Sequence, residues 1–143
     1  MKNSLYRGGG LALTAMIGAL ALASCGEAPT AAVGDCINSS DLSDEGIDEI
    51  AAISCEESHD LEVFHVFEMP EGDFPEEAGL DSAAEEQCIP AFEEYVGIDY
   101  LESDLWITTI YPSEDTWQRI DDREILCLLQ TDGDSGSMKG AQI

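Results

Sequence analysis

Apolar and polar positions divide this chain into a few short elements. Gly8 to Ala23 is apolar except for Thr14 and follows the short positive segment Met1 to Arg7. Val33-Gly34-Asp35-Cys36-Ile37 predicts a turn entering a first strand. Asn38 to Asp48 is polar and acidic and predicts a loop, and the apolar run Ile50 to Ser54 predicts a second strand running into Cys55. Leu61 to Glu68, rich in β-branched and aromatic residues, is the clearest strand and predicts burial on both faces. Met69 to Gly79 carries two prolines and two glycines and predicts a loop. Leu80, Ala84, Cys88, Phe92 and Tyr95 then recur at helical spacing. Asp81 or Ser82 can cap that helix, with Ser82 to Glu85 as a capping box. Pro90 should kink or split it near Ile89, and Gly97 should end it. Leu105 to Tyr111 is a further strand stopped by Pro112. Ser113 to Trp117 predicts one helical turn, and Arg119 to Arg123 a polar turn. Glu124 to Gln130 is the last strand. The expected class is α+β: a small antiparallel sheet of four to five strands, one main helix and two disulfides. Residues 33–130 form the domain and the Gly/Ser-rich residues 131–143 a flexible tail.

The first apolar block is too short for a spanning helix, which needs ~20 residues, and near the upper end of a signal-peptide core. Small residues Ala23 and Ser24 precede Cys25. The run Leu22-Ala23-Ser24-Cys25 looks like the cleavage box of a bacterial lipoprotein. Residues 1–24 are thus expected to be a leader and Cys25 the lipidated first residue. Residues 25–32 would form a tether of at most ~25 Å. A diacyl group supplies the two chains that stable anchoring needs. The expected location is the cell membrane, lipid-anchored, on the extracytoplasmic side.

Charge narrows the partners. The leader holds two of the five basic residues and none of the 31 acidic ones. Only Arg119, Arg123 and Lys139 stand against all of those carboxylates. Such a surface repels nucleic acid and anionic lipid, so nucleic-acid binding is excluded. Self-repulsion also works against a compact state. Four cysteines besides Cys25 offset it: an even number in a small exported domain reads as two disulfides. Three pairings are open. The near-neighbour pairing, Cys36–Cys55 and Cys88–Cys127, is favoured, each worth roughly 3–4 kcal/mol. A four-thiolate zinc site is disfavoured because no C-x2-C pair is present. No metal and no cofactor is expected.

The cysteine contexts carry a resemblance. Val33-Gly34-Asp35-Cys36 is followed by Cys55-x-x-x-His59-Asp60-x-Glu62-Val63-Phe64, then Cys88-x-x-x-Phe92-x-x-Tyr95-Val96-Gly97. Tyr111-Pro112, Trp117, Asp122-Arg123-x-x-x-Cys127 and Gly136-Ser137-Met138-Lys139-Gly140 complete it. Over residues 33 to 140 the chain resembles the septum formation domain of actinobacterial membrane proteins and lipoproteins. The resemblance implies a link to cell division and no enzyme activity. One departure is Asp121-Asp122-Arg123, where that family usually has Gly-Asp-Arg. A glycine there implies a positive φ, which Asp tolerates better than most residues.

Candidate ligand-binding residues are His59, Asp60 and Arg123. The plainer expectation for His59 is a hydrogen bond to a turn beside the disulfide, and for Arg123 an internal ion pair. On a common strand His59 and His65 would share a face but stand ~20 Å apart, too far to share a metal. Trp106 and Trp117 are expected in the core. Asp132-Gly133-Asp134 lacks the spacing and final Glu of a calcium loop. No catalytic residue is assigned. The function expected is a non-enzymatic envelope lipoprotein, an interaction module linked to septum formation and meeting envelope or division proteins. Two alternatives remain: a cell-wall hydrolase using His59 with nearby carboxylates, and an acidic lipoprotein binding a cation or small ligand. Burial of His59 with both ring nitrogens bonded to backbone would remove the first.

Overall fold

The computed structural model describes residues 31–42, 50–133 and 135–143. The leader, Cys25 and most of the expected tether lie outside these residues. Among the described residues there are four strands: β1 (Cys36–Ile37), β2 (Leu61–Glu68), β3 (Trp106–Ile110) and β4 (Glu124–Gln130). They form one sheet in the order β1-β2-β4-β3, antiparallel throughout. Helix α1 (Glu76–Val96) covers one face, and a short helix α2 (Glu114–Ile120) bridges β3 to β4. The α+β class and both disulfides, Cys36–Cys55 and Cys88–Cys127, are as expected.

β4 is central because it is apolar on both sides. Cys127 and Leu129 pack with Phe64, Ala84, Cys88, Phe92, Tyr95 and Val96 under α1. Leu126 and Leu128 pack with Ile37, Leu61 and Val63 on the opposite face, with Ala31, Leu42 and Ile50 against them. The Cys88–Cys127 bond therefore staples helix to sheet inside the core. β2 contains a bulge: Val63 pairs with Leu128 but His65 with Cys127, so Phe64 is the extra residue. The bulge places His65 on the α1 side with Phe67, whose ring it stacks on at 5.9 Å. Strict alternation would have left it with Leu61 and Val63.

Several expectations are corrected. Ile50 to Ser54 is not a strand; it makes a single bridge, Ile53 to Cys36, before the chain turns at Ser54–Glu57 toward the disulfide. α1 begins at Glu76, not at Asp81 or Ser82, and Pro75 stands at its cap position without a side-chain bond. Proline suits a helix start because its missing N–H would be unpaired there. Gly79 accommodates it: a Cβ at that position would come within 2.7 Å of the Pro75 Cβ. Pro90 does not split the helix, which runs unbroken to Val96. The proline faces solvent, and Cys88, Phe92, Tyr95 and Val96, buried around it, hold both halves on the sheet. Interior proline costs ~3 kcal/mol, and burial of one large apolar side chain offsets about half or more of that. Gly97 ends the helix in the left-handed conformation, as read.

The single turn expected at Ser113 extends to Ile120 because Ser113 and Thr116 form a reciprocal capping box. Asp121 ends α2 at φ 59°, matching the positive φ inferred for that position. Trp117 is buried as expected, but Trp106 is 69% exposed, because it opens an edge strand at its uncovered end. Residues 135–143 are not a loose tail. Gly140 and Gln142 donate to the carbonyls of Tyr95 and Val96, and Met138 is buried against the α1 side of the sheet.

Candidate functional site

The sequence-derived candidates do not converge. His59 and Asp60 precede β2 at the end of the sheet where β4 finishes; Arg123 precedes β4 at the other end. The seven residues of β4 separate them by roughly 20–25 Å.

His59 is only 1% exposed. Its Nδ1 lies 2.9 Å from the Glu57 carbonyl oxygen. A carbonyl only accepts, so Nδ1 carries the proton and donates. Nε2 is buried and has no hydrogen-bond partner among the described residues. The turn contact expected for His59 is present, but only one of its nitrogens is bonded. A ring nitrogen of His59 and the sulfurs of Cys36 and Cys55 lie within 4.8 Å of one another. Asp60 faces elsewhere. Its carboxylate accepts from the Ser39 backbone N–H at 2.6 Å and from the Ser39 hydroxyl at 2.5 Å. Partial burial pushes against its ionised form, yet the Ser39 bonds outweigh this and hold its pKa below the ordinary value. Thr131 closes the corner, donating from its backbone to Asp60 and from its hydroxyl to the His59 carbonyl.

Arg123 is engaged internally. Its guanidinium stacks 3.7 Å from the Trp117 ring centre and pairs with Asp121 at 2.6 Å. It also donates to the carbonyls of Trp117 and Asp122. Trp117 in turn donates to Gly72 and meets Phe74 edge-on. This cluster closes the α2 turn against the loop before α1.

Sequence reading missed the most heavily bonded of the fully buried polar residues among those described. Glu62 is fully buried in the apolar run of β2. Its Oε1 accepts from Tyr95 at 2.7 Å and from Ser137 at 2.5 Å; its Oε2 accepts from the Met138 backbone N–H at 2.7 Å. One carboxylate thus ties β2, α1 and the C-terminal segment together. The Tyr95 hydroxyl is pushed up to about 12, first by burial and then by its bond to Glu62. The signal was a lone acid inside Leu-Glu-Val-Phe, matched by a distant Ser-Met between glycines.

The open surface lies elsewhere again. β3 is the sheet edge and has no outer neighbour among the described residues. Between it and α1 runs a groove of about 320 Å³, whose lining includes Ile89, Tyr100, Ile107 and the carboxylates Asp81 and Glu85. Tyr111 donates to Asp81 across one end. Trp106 projects from the other face of the same strand, and Leu101, just before it, is 91% exposed.

Fold and site define a small disulfide-stapled α+β domain with a buried carboxylate clamp and, among the described residues, an open sheet edge at β3. The chain belongs to the septum formation family, whose pattern matches residues 23–142. It is also similar to an uncharacterized membrane protein of Mycobacterium tuberculosis, matched in two strains. The identity is 32% over 113 residues, covering 71% of this chain and 24% of the relative. The chain therefore spans about a quarter of the length of the curated relatives it matches. No solved structure matches. Among the described residues no helix is long and apolar enough to cross a membrane.

Proposed function

We propose that this protein is a non-catalytic accessory module of the cell envelope, acting in septum formation. In this reading Cys25 carries lipid after removal of residues 1–24, and the domain stands on the extracytoplasmic face. The family and the membrane character of the relatives' names support the envelope assignment. The non-catalytic reading is supported by the engagement of the candidate groups: Asp60 with Ser39, Arg123 with Asp121 and Trp117, His59 buried beside a disulfide.

The observation that carries the reading is the β3 edge, which no described residue covers, beside an apolar groove. A sheet edge offers unpaired backbone donors and acceptors and invites strand addition. The occupant we assign is an extended partner segment bearing Lys or Arg. Its backbone pairs with β3, its apolar side chains enter the groove, and its cation faces Asp81 and Glu85. A chain with 31 acidic residues attracts such a segment and repels acidic ones.

Two measurements test it. Radiolabelled palmitate should enter the wild type and not Cys25→Ala; equal labelling would remove the anchor. A photocrosslinking residue at position 106, in the full chain in cells, should give adducts that map to a basic extended segment. Charge reversal of Asp81 and Glu85 to Lys should abolish them. Adducts unchanged by the reversal, or equally abundant from position 93 on the solvent face of α1, would refute docking at β3.

A further inference from the structure

We infer that Cys36, Cys55 and His59 form a thiol-gated site for one thiophilic d10 cation, with Zn²⁺ as the representative ion. The inference is independent of the docking surface, which lies on the other edge of the sheet.

Three observations carry it. The three side chains already lie together, one ring nitrogen and two sulfurs within 4.8 Å of one another, and a tetrahedral zinc centre needs the two sulfurs, once their bond is broken, to separate to roughly 3.8 Å. The second is the tautomer. Nδ1–H donates to the Glu57 carbonyl, which leaves the Nε2 lone pair bare. Metal-binding histidines are oriented by this kind of outer bond. That bare nitrogen is buried in a residue only 1% exposed and has no partner among the described residues. No described residue uses it in the oxidised form, and an apolar ring would fill the same space without an orphaned lone pair. The third is selective access. Cys55 is partly exposed, whereas Cys88 and Cys127 are 1% and 0% exposed under α1. An external dithiol can therefore reach the first disulfide and not the second.

The chemistry balances with a dithiol reductant. One of its thiolates attacks Cys55 Sγ, the Cys36–Cys55 bond breaks, and Cys36 leaves as a thiolate. The second thiol of the reductant attacks the mixed disulfide and releases Cys55. The reductant ends as its own disulfide, having supplied two electrons. Zn²⁺ then binds both sulfurs, displacing to solvent any protons they hold, and takes the His59 lone pair. A fourth tetrahedral position remains for water. In the oxidised chain the sulfurs are bonded to each other and the site is closed.

The test uses the full mature chain. It is treated with a dithiol under native conditions, and alkylation with mass mapping identifies which cysteines open. The reductant is then removed and Cd²⁺ is titrated, read by sulfur-to-cadmium charge-transfer absorption. Zn²⁺ affinity is measured by competition with a chromophoric chelator. We expect Cys36 and Cys55 to open first and one cation to bind per reduced chain, with none bound by the oxidised chain. His59→Phe should weaken Zn²⁺ by at least about 10–100-fold. The double variant Cys36→Ser/Cys55→Ser should not bind. Equal uptake by oxidised and reduced chains, unaltered affinity in His59→Phe, or no uptake after reduction would each overturn the site. Circular dichroism follows the fold throughout. Unfolding on reduction that Zn²⁺ does not reverse would overturn it as well.

Discussion

Glu62 and His59 are three positions apart, and both are buried, yet they are treated very differently by the fold. Glu62 accepts three hydrogen bonds from two distant segments. Among the described residues His59 makes one side-chain bond, to a carbonyl two residues away, and its other nitrogen has no partner. The difference separates structure from latent chemistry. A buried carboxylate with three donors is a clamp, because the carboxylate and each donor would otherwise be stranded. A buried imidazole whose second nitrogen has no partner among the described residues contributes little to that clamp. The clamp joins β2, α1 and the C-terminal segment; the imidazole sits against the more accessible of two disulfides.

Three substitutions probe that contrast. Glu62→Ala should be the most damaging, at about 4 kcal/mol, because it strands the donors of Tyr95, Ser137 and Met138 together. Urea unfolding measures it, and hydrogen exchange should show the amides of Gly140 and Gln142 losing protection. A loss below about 1 kcal/mol would mean that the clamp is not what holds the C-terminal segment.

Tyr95→Phe should cost less, about 1–2 kcal/mol, since it removes one donor of three and keeps the ring. It should also change behaviour in alkali. The folded hydroxyl titrates at about 12, above its ordinary value of 10.0. Its stabilising contribution is therefore complete below pH 10 and is lost as the pH rises toward 12, where the folded state also ionises. The wild type should lose stability across that window by an amount that Tyr95→Phe does not. Phenolate absorbance of the folded protein should show one tyrosine titrating last. A Tyr95 that titrates with the exposed tyrosines would break the assignment.

His59→Phe should have the smallest effect, below about 1 kcal/mol, because one hydrogen bond is lost while an orphaned nitrogen is removed. A loss as large as that of Glu62→Ala would erase the contrast and make His59 a structural residue. A small loss combined with lost metal uptake would sharpen it.

Much of this molecule was legible beforehand, and the reasons are local. β4 could be read as a strand because Ile-Leu-Cys-Leu-Leu is a short continuous apolar run; its central place between β2 and β3 came from the fold. The disulfides followed from an even count of cysteines with Cys25 set apart. The αL turn at Asp121 followed from a residue standing where the family keeps glycine. What was misread depended on partners far away in sequence. The start of α1 was shifted by several residues because Pro75 and Gly79 looked like loop residues; next to each other on a helix they fit together. Pro90 looked like a break because its neighbours' packing is invisible in the chain. The Gly/Ser-rich segment after Gln130 looked loose because its anchors, the carbonyls of Tyr95 and Val96 and the carboxylate of Glu62, lie tens of residues upstream. Trp106 looked like core because composition cannot say which strand becomes the edge.

The sequence alone determined the class, the two bridges, the family and the strongly acidic composition. Those depend on residue identity, periodicity and count. The tertiary structure decided which polar groups matter. Hydrogen-bond satisfaction and burial are set by residues brought together across 33 to 76 positions of chain, as around Glu62. Only folding showed that Glu62 is the clamp, that Arg123 stacks on Trp117 besides making its expected ion pair, and that His59 Nε2 is buried with no partner among the described residues.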